Sequence, residues 1–207
     1  MDLLLGLTGR APVSGLILAT LLAASLLALY KLPALIDRSL FRPYWFLRRQ
    51  QFATPVTSAF LHADLPHLAF NAFTFWAFAF PLERQIGSAR FVALYAFGLL
   101  VSSVGTWLMH RREPGYQTLG ASGAILAVLF AAIAYTPSQS IFIFPVPVPI
   151  PAPLFAVAYL GYTVWASRRA SGRINHDAHL GGALAGIVFV LVLDSPTALQ
   201  AWRQVVG

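Results

Sequence analysis

A serine flanked by glycines carries the sharpest chemical signal in this chain, within Leu119-Gly120-Ala121-Ser122-Gly123-Ala124-Ile125. It sits in a run without charged residues from Pro114 to Ser167. At the start of an apolar helix, Ser122 would present its hydroxyl beside backbone N–H groups that lack an intrahelical partner, where the helix dipole favours negative charge. An acyl-transfer nucleophile with an oxyanion hole needs that setting. The same residues also describe a small-residue packing face of a membrane helix.

Two more polar clusters accompany it. His67 and Asn71 are four apart and share one helix face, and His62 lies five residues before His67, near the helix entry. His179 is followed by Gly182 and Gly186 at offsets of three and seven, which puts both glycines on its face. Gly123, Ala127 and Ala131 form a similar stripe below Ser122. If the two helices pack through these stripes, Ser122 and His179 meet near one membrane surface. Each polar residue has a plainer use as well. A membrane histidine can bond a backbone carbonyl, and Asn71 can tie two helices together. Zinc is conceivable on His62, His67 and His179, but no carboxylate stands in a ligand-like spacing, and Asp64 falls on an entry loop. No metal and no cofactor are therefore expected.

The elements that must hold these residues are read from composition. Of 207 residues, 58% are hydrophobic and 10% charged, against about 45–50% and about 25% in soluble domains. The chain reads as an all-α, polytopic integral membrane protein forming one domain over residues 1–207. Six spans are expected at about 11–31, 62–82, 91–109, 119–136, 153–167 and 177–193, by the roughly 20 apolar residues a crossing requires. Met1–Arg10 is too short to hold an extramembrane domain ahead of the first span. That span is too long for a signal-peptide core, and no small-residue cleavage site follows it. Residues 33–53 mix arginines with aromatics, which fits either a segment lying in the headgroup zone or a solvated loop. Pro137, Pro145, Pro147, Pro149, Pro151 and Pro153 divide the long charge-free run into two helices.

There is no cysteine, which excludes disulfides, thiol catalysis and thiolate metal sites. The net charge of +7 points to contact with membrane lipids and not to nucleic acid, because the arginines lie between apolar runs. The spans carry almost no charge at depth, which argues against a transporter or channel.

The order His62-x4-His67-x3-Asn71, then Gly120-Ala121-Ser122-Gly123, then Ala178-His179-x2-Gly182-x3-Gly186 strongly resembles the rhomboid intramembrane serine proteases. Glu83-Arg84-x2-Gly87 and the proline-rich turn before the fifth span resemble that family too, and the likeness covers about residues 54–193. It implies a six-helix bundle with a catalytic dyad of Ser122 and His179. It also implies an oxyanion site from the side chains of His67 and Asn71 with the backbone at Gly120 and Ser122. Gly123, Gly182 and Gly186 would pack the site, with His62 and Leu126 as possible supports. Substrates would be transmembrane segments of other proteins, cut near the membrane surface at small residues and admitted by an opening near the fifth helix. A catalytically silent relative that only binds membrane helices is the alternative.

Two positions depart from the pattern. Leu126 stands where family members often carry a tyrosine against the catalytic imidazole. Ala53-Thr54 stands where a Trp-Arg pair is usual. No triad is expected from Asp177, which two helical residues, about 200°, turn away from His179. His176 is the nearer same-face neighbour.

Orientation draws two expectations. The family pattern puts the loops after the first, third and fifth spans outside. Those loops hold ten basic residues, Lys31, Arg38, Arg42, Arg48, Arg49, Arg111, Arg112, Arg168, Arg169 and Arg173. The other side holds four, Arg10, Arg84, Arg90 and Arg203, so the positive-inside rule points the opposite way. The family orientation is preferred, in the plasma (inner) membrane of a prokaryote, because five of the ten, Lys31 included, belong to the loop after the first span, which can be embedded.

Overall fold

Uncharged runs closed by charge or proline become the long helices. The computed structural model describes residues 11–143, 146–169 and 174–206. The readings made at Met1–Arg10, Pro145 and Arg173 lie outside these residues. Helix α1, Pro12–Tyr30, starts with a proline where no N–H is missed and stops at Lys31. Four short pieces follow: α2 Ala34–Ser39, α3 Pro43–Arg48, α4 Thr54–Thr57 and a 3₁₀ turn Ser58–Phe60. Arg48 lies 4.0 Å from the Tyr44 ring centre and Arg49 3.9 Å from that of Trp45, pairs suited to a headgroup region. The segment is tied down by Phe41 and Thr118, which exchange backbone bonds of 3.0 Å in both directions. Trp45 Nε1 adds a bond of 3.2 Å to the carbonyl of Pro114. Those contacts anchor the segment without the missing Trp-Arg pair.

Helix α5, Leu65–Ile86, begins three residues later than the expected span, because the Asp64 carboxylate accepts the His67 N–H at 2.8 Å and caps it. Its buried residues include Leu68, Asn71, Phe75, Ala79 and Leu82, one stripe of helical period. Phe70, Phe73 and Trp76 face outward. Gly87, at φ +83°, turns the chain directly into α6, Ser88–His110.

The long charge-free run then makes α7, Ser122–Tyr135, and α8, Ala152–Ser167. Between them the all-α expectation needs correction. Strands β1, Ser140–Ile143, and β2, Val146–Pro151, pair antiparallel, with Ile141 opposite Ile150 and Ser140 opposite Pro151. Proline at every second residue excludes a helix. It still permits a hairpin, because Pro149 and Pro151 take positions whose N–H would point away from the partner strand.

Helix α9 runs from His176 to Val206, past the expected end near 193, with a break in helical geometry at Asp194. The fold is mostly helical. Among the described residues, three helices, α1, α6 and α9, are long and apolar enough to cross a membrane by length and composition.

Helix α7 is the axis. Eleven of its 14 residues are buried, as expected of a helix that is apolar all round. Its neighbours touch it through glycine. A Cβ at Gly182 would fall on the Gly123 carbonyl, one at Gly186 on the Ala127 carbonyl, and one at Gly98 on the Ala127 side chain. Gly161, in α8, has nothing within 4 Å of the same point.

These contacts predict opposite outcomes for two substitutions. Gly182→Leu should destabilise the protein by about 3 kcal/mol or more, since overpacking here meets backbone and not a flexible side chain. Gly161→Ala should leave stability unchanged or raise it by up to about 1 kcal/mol. Thermal unfolding of both variants in detergent measures the difference.

Candidate active site

Ser122 is the first residue of α7, preceded by Gly120 at φ +123°, a region that a side chain would strain. This turn explains why the helix starts at 122 and not at 119. The Gly120 N–H bonds the Ser58 carbonyl at 2.9 Å. Its expected place among the oxyanion donors is corrected accordingly, because that N–H is already committed. The glycine serves by lacking a side chain: a Cβ there would lie 2.7 Å from Cε1 of His67. The His67 ring thus rests against the backbone leading to Ser122.

His179 sits in the first turn of α9. Asn175 holds that turn, its Oδ1 accepting the Ala178 N–H at 2.9 Å. The Asn175 Nδ2 donates to Thr106 Oγ1 at 3.0 Å and Thr118 Oγ1 at 3.3 Å, joining α6 and the loop before α7. With both helix starts placed, His179 Nε2 lies 2.8 Å from Ser122 Oγ. On the ring's other side, Tyr159 of α8 places its hydroxyl 3.0 Å from Nδ1. Sequence reasoning missed Tyr159. The available signal was a hydroxyl in a charge-free span, which needs a polar partner when buried.

Asn71 is 4% exposed, and its amide nitrogen is buried without a hydrogen-bond partner. An unpaired buried donor asks for an explanation. His62 precedes α5 and is fully buried, with Nδ1 2.9 Å from Ser25 Oγ of α1 and its ring edge-on to His67 at 4.9 Å. It backs His67. Leu126 is buried in the apolar cluster that also takes in Phe130, Phe155 and Tyr159. The Asp177 carboxylate meets His110 Nε2 at 2.8 Å, while the ring of His176 stands 6.0 Å from that of His179 at 78°. Among the described residues, no three histidine or carboxylate side chains gather as a metal would require.

A cavity of about 30 Å³ adjoins Ser122, lined in part by Ser58, Ser102, Thr106, Thr118 and Asn175. A water needs about 10–15 Å³ by this measure and two to four polar partners, and both conditions are met. The arrangement offers a hydroxyl facing an imidazole, an unpaired amide donor and space for water.

A family model described as the Rhomboid domain matches residues 49–195, well over half of the chain. YdcA of Bacillus subtilis, named as a presumed rhomboid protease, is 38% identical over 133 residues, 64% of this chain and 63% of YdcA. The human presenilin-associated rhomboid-like protein, mitochondrial, is 31% identical over 195 residues, 88% of this chain and 48% of that protein. The rhomboid protease GluP of Bacillus subtilis is 27% identical over 143 residues, 69% of this chain and 26% of GluP. In each case the match spans less than two thirds of the relative's own length.

The Asn175 cap supports a prediction independent of any activity. Asn175→Ala should cost about 1–2 kcal/mol, the usual loss for an N-cap side chain, and loosen the first turn of α9. Thermal melting gives the cost. Hydrogen exchange at the amides of 176–180 should rise in the variant and stay unchanged elsewhere.

Proposed function

The chain belongs to the rhomboid family, and from that premise we propose that it is an intramembrane serine endopeptidase acting on transmembrane segments of other proteins. The observation that carries this reading is the 2.8 Å approach of His179 Nε2 to Ser122 Oγ. Ser122 attacks the scissile carbonyl while His179 accepts its proton, then returns it to the leaving amine. The oxyanion is met by the Ser122 N–H at the start of α7, the unpaired Asn71 amide and the His67 ring. These donors count for more where bulk water is excluded. A water held in the adjoining polar cavity then hydrolyses the acyl-enzyme, with His179 as base.

The chain is an integral membrane protein, and the proposed bundle uses α1 and α5 to α9 as six spans of one domain. Substrate enters beside α8, whose outer face carries Leu154, Val157, Tyr162 and Trp165, and whose buried residues are few. The family orientation is retained, with the loop after α8 outside, in a prokaryotic plasma membrane. Mitochondrial relatives make the compartment part of this proposal.

Cleavage of a reconstituted transmembrane substrate tests the reading. Ser122→Ala and His179→Ala should each abolish it, and the double variant should be no worse than either. His67→Ala or Asn71→Ala should slow it by about 10²–10³, as for a lost oxyanion donor. Asp177→Asn should keep most of the activity, because that carboxylate meets His110 and not His179. Cleavage that persists in Ser122→Ala rejects Ser122 as the nucleophile and with it the serine-dyad mechanism, and binding of the substrate without any cutting by the parent favours the silent relative. For orientation, a tag after Arg169 should be labelled from outside intact cells. Labelling only after the cells are opened reverses the assignment.

A further inference from the structure

Nδ1 of His179 has one polar side-chain neighbour at hydrogen-bond distance among the described residues, and it is a phenol. Tyr159 Oη lies 3.0 Å from it, while Ser122 Oγ lies 2.8 Å from Nε2. For Ser122 to give up its proton, Nε2 must be the accepting nitrogen. The ring proton must then sit on Nδ1, where it donates to the Tyr159 oxygen. We propose that Tyr159 is a positioning residue of the catalytic site, holding the His179 ring in its productive tautomer and accepting from it as the imidazolium forms. The proposal rests on the protease reading above.

In soluble serine hydrolases that place is taken by a carboxylate. Here Asp177, the nearest acid in sequence, is turned to His110 at 2.8 Å. A phenol suits the position better, since a carboxylate among apolar helices carries a large desolvation cost. The neutral acceptor adds no charge, and its bond with Nδ1–H becomes charge-assisted once the proton has moved.

The phenol is itself held. Its ring stacks on Phe155 at 5.6 Å and meets Phe130 of α7 at 5.8 Å. Leu126, one turn into α7, belongs to the same apolar cluster. Tyr159 therefore reaches His179 from a third helix, α8, while Ser122 and His179 stand on α7 and α9. The proton-accepting ring is aligned only when α8 is packed against both.

Tyr159→Phe keeps the ring packing and removes the hydroxyl, so the melting temperature should fall by no more than the loss of one hydrogen bond. Two reactions of Ser122 are measured: cleavage of a transmembrane substrate in proteoliposomes and phosphonylation by a small fluorophosphonate, with loss of fluoride. The variant should lower kcat about tenfold with KM unchanged, the loss expected for one hydrogen bond. The fluorophosphonate rate should fall by the same factor, because both reactions need His179 to take the serine proton. Equal rates for parent and variant in both assays would overturn the proposal and leave the protease reading intact. A loss confined to the transmembrane substrate would also overturn it, assigning Tyr159 to substrate contact. A parent that neither cleaves nor labels at Ser122 would overturn the proposal together with the reading it rests on.

Discussion

The structure depends on one close crossing, where α7 and α9 meet with backbone against backbone. Gly182 lies on Gly123 and Gly186 on Ala127, so tightly that no side chain fits at either glycine. In lipid, helix association draws little from the hydrophobic effect and much from such packing. The crossing is also what makes the chemistry local. Ser122 is one residue before Gly123, and His179 one turn before Gly182, so the contact that joins the helices joins the two side chains. Separating stability from function at these glycines is therefore not possible by enlarging them.

Away from the crossing, two buried polar side chains are each met by several neighbours and so fix the ends of elements. Glu83, 1% exposed, accepts the N–H groups of Val13 at 3.1 Å and Ser14 at 2.6 Å. It also accepts from Ser88 Oγ at 2.6 Å. One carboxylate thus closes the start of α1, which has no side-chain cap of its own, and the start of α6. Asn175 does the same between α6, the loop before α7 and α9. The unpaired Asn71 amide, like the unpaired Nε2 of the buried His62, lies instead beside the candidate site.

How much of this was legible in the sequence varies with the range of the cause. Local causes read well. Lysine, glycine and arginine at the ends of apolar runs located the helices, though Asp64 as a cap and Gly120 as a turn shifted two starts by three residues. The period of 3.6 placed Gly182 and Gly186 on the face of His179. The proline-rich stretch read correctly as the end of a helix. Its pairing into a hairpin did not, because a strand with alternating prolines carries no strong strand propensity. The Gly120 N–H was misassigned because its acceptor, the Ser58 carbonyl, lies 62 residues away on a short turn that no pattern announces.

Tyr159 shows where such reading stops. It is 20 residues from His179 in sequence, within a helix that carries no charge and also holds Tyr162, Thr163 and Ser167, so nothing in the spacing singles it out. Only the packing of α8 against α7 and α9 brings the phenol to Nδ1. The same packing explains how a short helix can carry the proposed nucleophile. At 14 residues, α7 is about 21 Å long, well under the roughly 30 Å hydrocarbon thickness. Both of its ends cannot reach the membrane faces. An end that falls short of a membrane face must be met by polar groups from the surrounding helices. His67 and Asn71 come from the first two turns of α5, His179 from the first turn of α9 and Tyr159 from the middle of α8. A longer central helix would place Ser122 at the surface, in water, where an oxyanion donor and a neutral tyrosine partner would both be worth far less.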